Sequence, residues 1–380
     1  MVKIDVLKAA QNERDFPLSN IVSDVEFVQL ESTIESYFSL IKSYTVTDHY
    51  ILITTQVEKK VLLFKRSGKF LRQIGQKGQG PGEYFNPCFA TIDPSEENII
   101  VKDEQGGNLF KYDMNGKIIK QANIKHEIST KPNCQPVFLD NKHFALSFKR
   151  PLAPTEGFYS VAVFDLDLNL VKKIIHKPNN DRLCLTNLSG QVLLNGSDGV
   201  HYWERFVDTI YSIDNRITEK PTYYLDMNET GYTLDFLTGR NMTKSGKDFN
   251  RVSLNADLPG FLIFTLQENG SSPIIYDKKS GEAFTPSDQK KQNLSYDKGR
   301  HNHIWDNDIF GFPKLYLRSY FPNQNLLTSI VYLARVSPAD LEYTKSKNVI
   351  SPIKRDQMSK IIQDYSGEEL PLIVLLKVKK

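Results

Sequence analysis

Phe89-Ala-Thr-Ile-Asp93, Asn98-Ile-Ile-Val-Lys-Asp103 and Asn108-Leu-Phe-Lys-Tyr-Asp-Met-Asn-Gly116-Lys-Ile-Ile119 decide the fold. The first two stretches are short, apolar and β-branched, and each ends in a turn-forming residue, as strands do. The third is a strand, an Asn-Gly turn and a second strand. Asn and Gly tolerate the positive φ that tight hairpins require. Four antiparallel strands in about 30 residues make one compact sheet unit, the size of a propeller blade.

Working outward, the hairpin recurs. Turns centred on Gly68, Gly116, Asn169, Asn215 and Gly281 follow Val61-Leu-Leu-Phe, Asn108-Leu-Phe-Lys-Tyr, Val161-Ala-Val-Phe, Thr209-Ile-Tyr-Ser-Ile and Pro273-Ile-Ile-Tyr. The first four turns keep the repeat of roughly 40–50 residues expected of propeller blades, and the longer step from Asn215 to Gly281 leaves room for an inserted loop. A sheet sandwich needs no such period, and a parallel solenoid needs no hairpin turns. The first blade starts near Ser43. A sixth is expected after Asp288, from strand-like runs at Ile309 to Leu317 and Leu326 to Arg335. The fold predicted is all-β, one six-bladed β-propeller of four-stranded antiparallel blades spanning 1–380, with an N-terminal extension at 1–24.

The tail changes period. Ser337-Pro338 and Ser351-Pro352 each place Ser at an N-cap and Pro at the first helical position. Met358, Ile361 and Ile362 repeat at helical spacing. A short helical insertion over 337–366 in the last blade is expected, followed by a closing strand at 372–378. That strand is expected to pair with Val25 to Glu31 in one shared blade, which leaves no free sheet edge.

Composition excludes several classes. The 380 residues carry 48 Lys plus Arg against 45 Asp plus Glu, a net charge of +3, too balanced for a dedicated nucleic-acid binder. The longest uncharged apolar run, Leu370 to Leu376, is far short of the about 20 residues of a membrane helix. Three cysteines make no disulfide framework, and no CxxC or Cys/His zinc spacing occurs. Cys88, Cys134 and Cys184 recur at the blade period, so they are expected unbridged on three successive inner strands. The start Met1-Val-Lys-Ile lacks a signal peptide's apolar region, which reads as cytoplasmic unless a leader has been removed.

The loop Ile74-Gly-Gln-Lys-Gly78-Gln-Gly80-Pro81-Gly82-Glu83-Tyr84 resembles the hallmark of a six-bladed β-propeller family common in Bacteroidetes, related to NHL-repeat propellers. Other stretches are similar in order: Leu18-Ser-Asn-Ile21 with Val28-Gln-Leu-Glu31, Asp208-Thr-Ile-Tyr211, Asn307-Asp-Ile309 with Phe312-Pro313, and Leu370-Pro371-Leu-Ile-Val. The resemblance covers nearly the whole chain. It implies an exported lipoprotein, periplasmic or anchored at the outer membrane, with its leader absent from this sequence. It brings no catalytic residue set.

Motif chemistry is sparse. The glycine loop is followed by no Gly-Lys-Ser/Thr and leads into extended Phe85-Asn-Pro, so it is neither a P-loop nor a dinucleotide fingerprint; it reads as a connector. Asp165-x-Asp167-x-Asn169 opens like a calcium loop but has Leu170 and His176 where Gly and Glu are needed, and reads as a hairpin turn. His301-x-His303, near Asp306 and Asp308, offers a weak metal pair. No cofactor and no catalytic residue is assigned. Two functions stay open. One is a non-catalytic binding scaffold for a glycan, peptide or protein partner, expected to be monomeric. The other is a metal-dependent propeller hydrolase or lactonase, with Ca²⁺ at the channel mouth.

The ligand-binding candidates follow from loop lengths. Third-to-fourth turns are tight. Lys149 to Tyr159, Gly196 to Phe206 and Arg318 to Asn325 read as long second-to-third connections, on the opposite face. They carry Arg150, Tyr159, Tyr202, Trp203, Arg205 and Tyr320, and the glycine connector adds Lys77 and Tyr84 there. Loops on a rigid scaffold concentrate binding residues, and Trp, Tyr and Arg dominate binding energies. Simple packing of these aromatics onto the blade tops is the alternative.

Overall fold

The computed structural model describes residues 1–104, 107–124, 136–148, 158–177, 191–204, 208–227, 251–267, 271–287 and 306–379. Their strands form six sheets, each built on four antiparallel strands. In chain order from the innermost strand outward, blades 1 to 5 begin at Ile41–Val46, Pro87–Ile92, Val137–Phe138, Gln191–Gly196 and Arg251–Asp257. Blade 6 is composite. Tyr320–Phe321, Leu326–Val331 and Leu372–Val378 are its first three strands, and Val22–Val28 is its outermost. Val28 lies opposite Ile373 and Val22 opposite Val378. The helices Pro338–Ser346 and Pro352–Gln363 lie between the second and third strands of that blade. Ser337 and Ser351 cap them, each side chain accepting a backbone N–H from the first turn.

Inter-blade packing is apolar. Strands buried on both faces read as unbroken hydrophobic runs, as in Val61-Leu-Leu-Phe64 and Leu372-Ile-Val-Leu-Leu376, all at or below 1% exposure. One core cluster joins blades 5 and 6 through Ile263, Ile275, Leu327, Val374 and Leu376. Another joins blades 6 and 1 through Ile330, Leu375, Ile53 and Leu62.

The third-to-fourth turns of blades 1 to 4 share one geometry. A residue at the end of the third strand accepts a hydrogen bond from the N–H three positions on, which sits at positive φ: Gly68 on Lys65, Gly116 on Asp113, Leu168 on Asp165 and Ile217 on Asp214. In three of these turns the first residue is Asp, whose carboxylate caps the turn: Asp113 accepts from Asn115 and Lys117, Asp165 from Asn169, and Asp214 from Arg216 and Thr218. The left-handed residues in blades 3 and 4 are therefore Leu168 and Ile217, not Asn169 and Asn215. Both side chains are buried between blades, which offsets the steric cost of that conformation. Asp165 spends its carboxylate on Asn169 as a turn residue.

Two readings are corrected. Ile309 to Leu317 is not a strand. Asn307 is buried and ties a turn there, its amide donating to Phe312 O at 3.0 Å, and Gly311 has φ +79°. Phe310, Phe312 and Leu315 instead fill the core beneath blade 6. The segment 1–21 is more than an extension. Val2–Asp5 adds to blade 4 as a parallel fifth strand beside Glu219–Asp226, and Glu13–Arg14 does the same to blade 5 beside Ala283–Pro286. The short helix Val6–Gln11 buries Val6 and Ala9 in the core of blades 4 and 5. The N-terminal arm thus passes along blades 4, 5 and 6 in turn.

Candidate functional site

Each inner strand runs toward the face of the tight turns, where the first-to-second turns ring the central channel. The channel opens there as a cavity of about 900 Å³, to which all six blades contribute. That volume lies within the range of small-ligand sites. Thr45 and Thr91 line its wall, with the Thr45 hydroxyl donating to Ala90 O at 3.3 Å across the blade 1–blade 2 boundary. Tyr320 lines it from blade 6, its hydroxyl donating to Asn325 Oδ1 at 2.9 Å.

The acidic groups of the mouth are mostly engaged in building it. Asp93 is fully buried and accepts from the N–H groups of Glu97 and Asn98, from the Asn98 amide and from the Ser95 hydroxyl. Glu96 accepts from Asp48 N and pairs with His49 at 2.7 Å. Burial works to raise the Glu96 pKa, but hydrogen bonds from Thr47 and His49 outweigh it and hold the carboxyl below its usual range. Arg318 differs: it is exposed, lines the same cavity, and its guanidinium makes no ion pair among the described residues.

A second polar group lies between blades 4 and 5, at the same level. His201 and Asp257 are both fully buried, with Nε2 to Oδ2 at 2.7 Å. Asp198, on the two-residue turn between Gly196 and Gly199, approaches the same nitrogen at 3.1 Å and is 61% exposed. Lys278, from the third-to-fourth turn of blade 5, pairs with Asp257 Oδ1 and donates to Ser197 Oγ at 2.9 Å. The other nitrogen of His201 faces Ser212 Oγ at 3.3 Å. Gly196 makes room for the group: a Cβ there would collide with Asp257 Oδ2 and with the His201 ring. Burial opposes charge on His201, but its bonds to Asp198 and Asp257 prevail and push its pKa up to about 9. Asp198 is lowered to about 2, chiefly by its bond to His201.

The expected surface residues are dispersed. Tyr202 and Trp203 lie within the second strand of blade 4, Gly199–Glu204, and are buried at 1% and 3%. Gly196 to Phe206 is therefore not one long loop: Gly196-Ser-Asp-Gly199 is a tight first-to-second turn, and the two aromatics pack between blades. Arg318 to Asn325 likewise comprises an inner strand and a first-to-second turn, which places Tyr320 on the tight-turn side. Tyr84 is fully buried, its hydroxyl donating to Ile74 O at 2.9 Å and accepting from Val61 N at 3.2 Å. None of these four can meet a ligand on the face of the long loops. Tyr159 and Lys77 are exposed on that face, while Arg150 and Arg205 lie outside the described residues. So do His301, His303, Cys134 and Cys184.

The glycine loop is a strut rather than a cradle. Glu83 accepts from Gly80 N at 2.9 Å and from the Gln76 amide, and a Cβ at Gly78 would collide with its carboxylate. Gly75 has φ +61° and packs against Tyr84 and Tyr112. Cys88 lies on the inner strand of blade 2, free and buried, its thiol pushed up to about 12 by burial.

A family model described as a domain of unknown function, DUF4934, matches residues 1–377. The chain belongs to that family. Among curated proteins, none matches it. A crystal structure of a Bacteroides fragilis protein described as exported is 15% identical and has a TM-score of 0.69, covering 100% of this chain and 99% of its own. A DUF4221-family protein of Bacteroides vulgatus is 10% identical with a TM-score of 0.49, over 94% of this chain and 98% of that one. The extracellular domain of a one-component system of B. thetaiotaomicron is 11% identical with a TM-score of 0.43, over 76% of this chain and 32% of that one. At 15% identity the likeness to the Bacteroides fragilis protein supports the propeller fold alone, as the glycine loop implied. Among the described residues no helix is long and apolar enough to cross a membrane.

Proposed function

We propose that this DUF4934 propeller is a non-catalytic binding scaffold that takes part of a glycan, peptide or protein partner into its channel mouth, on the face of the tight turns. One observation carries the reading: a cavity of about 900 Å³ lined by all six blades, in which the Arg318 guanidinium is exposed and makes no ion pair among the described residues. Polar side chains such as Thr45, Thr91 and Asn255 share the wall with apolar ones such as Ile92, Phe138 and Leu193, and Asp93 and Glu96 are already satisfied. Such a lining suits a neutral or anionic polar ligand held by hydrogen bonds, with Arg318 as its charged anchor. The channel mouth thus replaces the long-loop face as the expected site. An extracellular or periplasmic location fits the likeness to an exported protein. The metal-dependent alternative draws support from the Asp198–His201–Asp257 group.

The test is a glycan-array and peptide-library screen with the full chain, followed by titration of each hit against wild type and Arg318→Ala. The reading expects affinity to fall at least about tenfold in Arg318→Ala, with unchanged thermal unfolding, as for loss of a charge-assisted hydrogen bond. A ligand bound equally well by both proteins, or located crystallographically on the long-loop face, refutes it.

A further inference from the structure

We infer that Asp198, His201 and Asp257 form a binding site for one divalent transition-metal ion of the zinc type, set between blades 4 and 5 beside the channel mouth. The inference is independent of the channel-binding reading.

Three donor atoms converge: His201 Nε2, Asp198 Oδ1 and Asp257 Oδ2 all lie within 4.8 Å of one another. One imidazole with two carboxylates is a donor set that zinc and its neighbours in the first transition row accept. The second polar atoms of His201 and Asp257 face outward to partners of their own. His201 Nδ1 meets Ser212 Oγ, which can accept its N–H and leave Nε2 as the ligand nitrogen. Asp257 Oδ1 meets the Lys278 ammonium, which offsets one carboxylate charge and keeps Oδ2 for the ion. Metal-binding histidines and carboxylates are commonly oriented in this way by outer partners.

The spacing is close to what an ion requires. Ligand bonds of about 2.1 Å in a tetrahedron set donor atoms about 3.4 Å apart. The observed 2.7 and 3.1 Å must open by less than about 1 Å. Asp198 can supply much of that movement, because it sits on an exposed turn. The same exposure leaves an entry path and a position for water. Gly196 is what brings the turn this close, since any side chain there would occupy the space between His201 and Asp257.

The experiment uses the full chain, stripped with chelator, in a His301→Ala/His303→Ala background so that the other histidine pair cannot contribute. Co²⁺ is titrated by visible absorption and then displaced with Zn²⁺. The inference expects one equivalent of Co²⁺ with intense tetrahedral or five-coordinate bands, lost on adding one equivalent of Zn²⁺. Asp198→Ala, on an exposed turn, should retain the fold by circular dichroism and bind on the order of 100-fold more weakly. His201→Gln should abolish the bands. Absence of Co²⁺ or Zn²⁺ binding in the parent protein, or binding unchanged in Asp198→Ala, overturns it.

Discussion

Replacing Tyr84 by Phe removes one oxygen atom, and its consequence can be worked out from the contacts of that atom. The phenol is fully buried, and its hydroxyl both accepts from Val61 N and donates to Ile74 O. Val61 opens the third strand of blade 1, and Ile74 follows the fourth. The hydroxyl therefore stitches the outer half of blade 1 to the connector that leads into blade 2. Phe fills the same space, so no cavity term arises. What changes is that a buried N–H and a buried C=O lose a partner, at about 1–3 kcal/mol for each group left unsatisfied. We expect Tyr84→Phe to cost about 2–4 kcal/mol in reversible urea unfolding followed by circular dichroism, with the denaturant slope unchanged. Tyr112→Phe is the internal comparison: its ring is as buried, but it loses one bond rather than two, to the half-buried Gly82 O at 2.9 Å. It should cost about 1 kcal/mol. A Tyr84→Phe protein within about 0.5 kcal/mol of wild type, or less affected than Tyr112→Phe, would show that the glycine loop is not held in this way.

Truncation after Leu370 removes the strand between Leu326–Val331 and Val22–Val28, and should abolish cooperative unfolding; a truncated protein that melts like the full chain contradicts the closure. In chelated protein, His201 titrates near 9 when folded against an ordinary 6.5, so its contribution is complete below pH 6.5 and is lost as pH rises through 9. Stability should fall by on the order of 2–3 kcal/mol across that interval, and His201→Gln should flatten the slope. In a Cys134→Ser/Cys184→Ser background, Cys88 should resist thiol reagents at pH 8 until urea is added; prompt reaction of native protein would place it elsewhere than the inner strand. Removing residues 1–14 uncovers the outer edges Glu219–Asp226 and Ala283–Pro286, and should lower stability and promote self-association in light scattering. A deletion variant that stays monomeric with an unchanged melting point would mean the arm is ornamental.

The sequence is most legible where the backbone itself needs a special residue. Gly68, Gly116 and Gly281 mark three turns because only they can take positive φ without cost. Leu168 and Ile217 do the same work concealed, since burial between blades compensates a conformation their side chains disfavour. The last blade is harder to read because Phe310, Phe312 and Leu315 are as apolar as any strand, yet serve as a plug beneath it. Trp203 is misplaced by one misreading, that Gly196-Ser-Asp-Gly199 begins a long loop when it is a two-residue turn. The polar group at His201 cannot be read from spacing, since His201 and Asp257 are a whole blade apart in the chain and meet only because blades 4 and 5 are neighbours. A signal is present in the repeat nonetheless. Asp48, Asp93, Asp140, Asp198 and Asp257 fall at or beside the first-to-second turns of five successive blades. Asp93 and Asp140 cap their own turns, and Asp198 and Asp257 turn to His201 instead.

The N-terminal arm has a consequence for how the protein is made. Val2–Asp5 finds its partner only once residue 226 exists, and Val22–Val28 only once residue 378 does. At the usual rate of roughly 5–20 residues per second, the ribosome takes about 20–70 s to travel from residue 28 to residue 378. Throughout that interval Val22-Ser-Asp-Val-Glu-Phe-Val28 is an unpaired strand whose intended neighbour has not been synthesised. Blades 1 to 5 can meanwhile assemble in order beside it. The alternating acidic residues Asp24 and Glu26 are well placed to keep this waiting strand from pairing with the wrong edge. The ring can close only after residue 378 has been made, so Val22–Val28, made before blades 1 to 5, pairs later than they do.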